Sequence, residues 1–187
     1  MEKSNDKSII SGKALDRYFD FNDALAEFHR LFNVEGKDER AIAILGGTFL
    51  EMALEHLLYA FFPEDEKEVK KLFEYNQPLG NFSGKISLSY CLGLIDKMIK
   101  DDLNLVRKIR NKFAHDLYAT FGDEEIKSWC QGLKFHIVSM MTRPPDGATE
   151  LQIFQVGVNQ LITNLNGYIS VSRGQKREIM DNFKMFL

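Results

Sequence analysis

Apolar residues recur at steps of three and four along most of this 187-residue chain, and that period commits it to helices rather than strands. Between residues 13 and 32, Leu15, Tyr18, Phe19, Leu25, Phe28 and Phe32 mark one buried face, closed off by Gly36 and the charges through Glu39. A longer helix is expected from Asp38 to Phe62, with Ile42, Leu45, Phe49, Met52, Leu57 and Phe61 as its apolar side and Pro63 as its stop. It should be the most buried of all. The segment from Glu64 to Tyr75 is short and charged, anchored by Val69, Leu72 and Phe73, and Asn76 to Gly80 reads as a turn. From Asn81 to Lys100, Ile86, Leu88, Leu92, Ile95 and Ile99 fit either a helical stripe or strand alternation. Length and the scarcity of β-branched residues favour a helix.

Asp101 or Asp102 is placed to cap the next helix, whose Leu103, Val106, Ile109 and Phe113 repeat on one side to about Asp116. Another is expected from Asp123 to Met141, using Ile126, Trp129, Leu133, Ile137 and Met140, before the break from Arg143 through Pro144, Pro145 and Asp146 to Gly147. A last long pattern, Leu151, Phe154, Val158, Leu161, Leu165 and Tyr168, runs from Thr149 to about Ser170 despite Gly157 and Gly167, and a short charged helix is expected after Gly174. The fold class is therefore an all-α, single-domain bundle of about seven to eight helices. Residues 1–12 form a flexible lead-in, and 13–187 form the domain.

At this length a core can form without disulfides or metal. Cys91 and Cys130 sit within apolar patterns, have no ligand-spaced neighbours, and read as buried thiols of a reducing compartment. The start of the chain lacks an apolar signal core, and no apolar run approaches the roughly 20 residues of a membrane helix, so a cytoplasmic location without membrane association is expected. A net charge of −3 argues against a free-standing nucleic-acid binder, although it leaves a local basic face open.

Chemistry concentrates first between Arg107 and His115. On a helix Arg107, Asn111 and His115 advance by four and share a face, whereas Arg110 lies well round from His115. Such a face suits phosphate binding by Arg and proton exchange by His, but the residues alone favour a polar network in which His115 caps the helix C-terminus. The second stretch runs from Gln77 to Ile95. Ser83 and Lys85 fall at a helix start whose free N–H groups favour an anion, but the spacing from Gly80 to Lys85 is not that of a P-loop, and close helix packing is the alternative. The third feature is Glu51 and Glu55, one turn apart on an apolar helix, read either as an acid–base dyad or as structural partners of Arg107 or Arg110. Glu51 and His56 do not share a face, so no metal site is expected, and no cofactor. Gly46 and Gly47 inside that helix imply close approach of a neighbouring helix or of a second chain.

The run Arg110, Asn111, Lys112, Phe113, Ala114, His115 resembles the motif of the HEPN helical superfamily. That resemblance implies metal-independent ribonuclease chemistry across a homodimer, with Arg110 and His115 catalytic and Asn111 supporting. A longer ordered set, Pro78, Leu79, Gly80, Phe82, Ser83, Lys85, Tyr90 and Gly93, followed by Arg110, Asn111, Phe113, Ala114 and His115, is similar to the mannitol operon repressor family over roughly Arg40 to Leu133. This resemblance implies a transcriptional regulator. No helix-turn-helix is legible, because the turn before Asn81 is too long and the helix after it is apolar, so action through a protein partner or effector is favoured over conventional operator reading. Homodimer formation and DNA contact are further implications. The alternatives are a HEPN-type endoribonuclease acting on RNA and a non-catalytic dimeric scaffold.

Overall fold

The computed structural model describes residues 12–33, 38–134 and 143–179, with side chains from Phe21 onward. Within them the chain forms α1 (Gly12–Phe32), α2 (Glu39–Phe61), α3 (Glu66–Leu72), α4 (Phe82–Cys91), α5 (Lys97–His115), α6 (Glu124–Gln131) and α7 (Glu150–Gly174), and no strand. The all-helical bundle is as expected. Several expected features fall outside the described residues: the lead-in through residue 11, the side chains of Leu15, Tyr18 and Phe19, the break at Gly36, Ile137 and Met140, and the final helix beyond residue 179.

Helix α2 is the axis of the fold, with α1, α4, α5 and α7 all packed on it. Ile42, Ala43, Leu50, Ala53, Leu54, Leu57 and Leu58 are almost wholly buried, and Phe49 stacks on Phe28 at 4.3 Å between ring centroids. Among the described residues α2 is also the one helix long and apolar enough to cross a membrane, contrary to the expectation that no apolar run approaches that length. Its covering by four other helices accounts for that composition, since a helix buried on most sides needs apolar residues on most sides. Asp38 caps it, its carboxylate accepting the Arg40 N–H at 3.0 Å.

The stretch expected as one helix from Asn81 to Lys100 is two. Helix α4 stops at Cys91, Gly93 adopts a left-handed φ of 72°, and the N–H groups of Gly93 and Leu94 turn back to the Tyr90 and Ser89 carbonyls. This is a glycine-terminated helix end. The cap of α5 is accordingly Asp96, which accepts the Ile99 N–H at 2.9 Å, and not Asp101 or Asp102. Asp102 lies inside α5, buried, and both its oxygens accept the Lys134 N–H, which pins the chain as it leaves α6. Helix α6 ends at Gln131 rather than continuing through Leu133.

Helix α7 passes through Gly157 and Gly167 without a break, started by a reciprocal capping box between Thr149 and Gln152. Residues 175–179 are not helical; Arg177 instead donates its N–H to the Phe61 carbonyl and so closes the end of α2. Cys130 is buried as expected, and desolvation, helped by Glu150, pushes its thiol up to about 12. Cys91 is exposed, because α4 ends there and turns that position to solvent. Brief treatment of the native protein with a thiol reagent at neutral pH is therefore expected to label Cys91 alone, with Cys130 reacting only in denaturant. Two equally fast thiols would contradict this placement.

Candidate functional site

Four of the residues singled out in the sequence meet where α2, α4 and α5 converge. Glu51 and Glu55 stand on α2, Lys85 on α4 and Arg110 on α5. One Glu51 oxygen accepts from Arg110 Nη2 at 3.0 Å and the other from Lys85 Nζ at 3.3 Å, while Lys85 also pairs with Glu55 at 2.9 Å. Lys85 is the most deeply placed, its side chain 8% exposed, against 22% for Glu51 and 26% for Arg110. Aromatic rings line the junction, with Phe82 5.8 Å from the Arg110 guanidinium carbon and Phe73 5.9 Å from the Lys85 ammonium.

Glycines make this convergence sterically feasible. A Cβ on Gly47 would stand 2.7 Å from both Cβ and Cγ of Arg110, so α5 approaches α2 at this point only because the side chain is missing. Gly46 admits the rings of Phe32 and Phe154 in the same way on the other side of α2. A Cβ on Gly84 would overlap the Pro78 carbonyl oxygen, which ties the start of α4 to the preceding turn. Asn81 caps α4, accepting the Gly84 N–H at 2.9 Å.

Two carboxylates and two cations form a closed, locally neutral group. Lys85 was expected beside the free N–H groups of its helix start, ready for an anion; it is turned instead onto Glu51 and Glu55, because a buried ammonium requires paired carboxylates more than a solvated one does. Of the two glutamates, Glu51 is the partner of Arg110 and Glu55 that of Lys85, and among the described residues neither is paired with Arg107. Arg107 is partly buried, reaches Asn104 at 3.4 Å, and leaves its Nε without a partner. Ser83 is exposed, and Asn111 is partly buried with no side-chain hydrogen bond among the described residues.

His115 is exposed at the last position of α5. It does not cap that helix. The capping cation is Arg40, from the first turn of α2, whose guanidinium donates to the carbonyls of Phe113, Asp116 (2.7 Å) and Leu117 (2.6 Å). Next to it, Asp116 is held below the ordinary carboxylate range, first by the Tyr118 N–H and then by Lys112. Within this chain no contact joins Arg110 to His115 among the described residues: one side chain is drawn inward by Glu51 and the other faces solvent. Arg40 was missed in the sequence, although a signal existed. A cation in the first turn of a helix opposes that helix's own dipole, so its charge must serve another group.

The geometry coincides with a match over most of the chain, because residues 34–165, which include every member of the network, fit the family model described as Mannitol repressor. The chain belongs to the mannitol repressor family. Its matched region runs into α7, beyond the limit near Leu133 that the motif blocks suggested. The mannitol operon repressors of Escherichia coli strains K12 and O6:H1 (CFT073) are each 32% identical to it over 116 residues, which is 59% of this chain and 58% of theirs, so the aligned part spans rather more than half the length of these relatives. A solved chain from the MtlR-HPr complex of Escherichia coli is 26% identical, with a TM-score of 0.53, covering 82% of this chain and 99% of that one.

Substituting Gly47→Ala in this mannitol repressor family member tests the close approach. In an unencumbered helix interior the change stabilises by about 1 kcal/mol. Here, overpacking against Arg110 is expected to reverse the sign, to a loss of about 1–2 kcal/mol in urea unfolding. A more stable variant would contradict the contact.

Proposed function

We propose that this protein is a transcriptional regulator of the mannitol operon repressor type that acts in the cytoplasm through a protein partner, with HPr as that partner. The observation that carries the reading is the likeness, over 99% of the solved chain's length, to a protein whose structure was determined in an MtlR-HPr complex. Electrostatics agree with a protein partner over direct phosphate contact. Most of the cations of the α5 motif are already engaged: Arg110 by Glu51, Lys112 by Asp116 at 3.2 Å, and Lys108 over the Trp129 ring at 5.9 Å. Phosphate recognition by these side chains would first have to break such pairs.

Deleting the coding sequence is expected to raise mannitol operon transcript several-fold in cells grown without mannitol, and the purified protein is expected to bind HPr of the source organism with a Kd in the range of about 0.1–10 μM. Unchanged transcript together with no binding at millimolar HPr would overturn the proposal. Metal-independent RNA cleavage abolished by His115→Ala would replace it with the nuclease reading.

A further inference from the structure

The turn between α5 and α6 exposes two large apolar side chains from which the fold gains nothing. Leu117 is 75% and Tyr118 86% exposed, and Asp116 alone separates them from the exposed His115. The same turn sends its other apolar residues inward. Ala119 and Phe121 are buried, and the Phe121 ring lies 5.0 Å from that of Phe113 and 5.3 Å from that of Phe154. Burial of the neighbours makes the exposure of Leu117 and Tyr118 specific to those two positions.

The backbone of the turn is fixed at several points. Arg40 holds the carbonyls of Asp116 and Leu117, the Glu39 carboxylate accepts the Phe121 N–H at 2.9 Å, and the Asp116 carboxylate accepts the Tyr118 N–H at 3.0 Å. Thr120 donates its hydroxyl to Asp123 at 3.1 Å. Two side chains projecting from so constrained a frame lose little conformational freedom when a partner covers them. An aromatic and an aliphatic side chain together are also the usual composition of an interface anchor.

Charge decides what kind of surface covers them. Glu39, Asp116, Asp123, Glu124 and Glu125 rim the turn. Three cations stand among these five carboxylates, Arg40 on backbone carbonyls, Lys112 between Asp116 and Glu125, and Lys127 on Glu124 at 3.0 Å, which leaves the rim an excess of two negative charges. An acidic rim repels nucleic-acid phosphates. A second copy docked about a two-fold axis would set this rim against itself. A basic protein surface with an apolar recess complements it.

We propose that Leu117 and Tyr118, framed by this acidic rim, are the anchor on which a basic face of the protein partner docks. The proposal rests on the reading of HPr as that partner. Calorimetric titration with HPr of the source organism tests it on four proteins: the wild type, Leu117→Ser/Tyr118→Ser, Glu124→Lys/Glu125→Lys, and Tyr75→Ser as a control at the separate, 88% exposed tyrosine after α3. Wild type and Tyr75→Ser are expected to bind alike, the paired serine variant to lose roughly tenfold or more in affinity with an unchanged melting temperature, and the charge-reversed variant to lose several-fold, with wild-type binding weakening as salt rises. Undiminished binding by the serine pair would overturn the anchor and leave the HPr reading standing, whereas a wild type that does not bind would overturn both. Self-association in sedimentation that the serine pair abolishes would also overturn the proposal, because a second copy would then be what covers the turn.

Discussion

The two oxygens of Glu51 tie three helices together, and much of the molecule is arranged so that they can. One oxygen holds Arg110 of α5 and the other Lys85 of α4, with Glu55 as a second anion for the lysine. A carboxylate on the helix that forms the axis of the core is tolerable only when its partners reach it from elements already packed there. That requirement explains Gly47, which lets α5 come close enough, and Gly84, which lets the turn before α4 lie against its first residues. Local sequence, packing and electrostatics agree at this one junction, which is the consistency expected of a sequence that specifies a single structure.

One end of the α2 and α5 pair is secured by a second device. Arg40 and Glu39, adjacent in the first turn of α2, bond to the carbonyls at the end of α5 and to the Phe121 N–H beyond it. One end of the interface is thus closed by backbone capping, and the middle by the buried ion group. Between them the motif residues acquire different duties. Arg110 belongs to the interior framework, while His115 and the turn after it face outward, where a partner can reach them. The motif thus serves first to build the helical scaffold, and that scaffold holds the turn after it still.

The fold was largely legible because helical period survives single-sequence reading: Leu103, Val106, Ile109 and Phe113 of α5 are all buried as their spacing required. The break at Gly93 was hidden, since the apolar residues on either side, Leu92 and Ile95, continue a three-residue step across a turn that only the left-handed glycine reveals. Of the site, Glu51 with Arg110 could be anticipated from the burial cost of a carboxylate on an apolar helix. The recruitment of Lys85 could not, because pairing across 34 positions in the chain depends on how α4 is laid against α2. Arg40 escaped for the same reason, its carbonyl partners lying more than 70 residues away.

The most direct measurement of this account is a double-mutant cycle in urea unfolding between Glu51 and Arg110, using Glu51→Gln, Arg110→Met and the pair. A part-buried bridge shared by three helices predicts that each single change destabilises by about 2–3 kcal/mol and that the pair costs clearly less than the sum, with a coupling of about 1–2 kcal/mol. Additive effects, with coupling near zero, would mean that Glu51 does not hold α5 through Arg110, and the motif would have to be read again as a site free to act on a ligand.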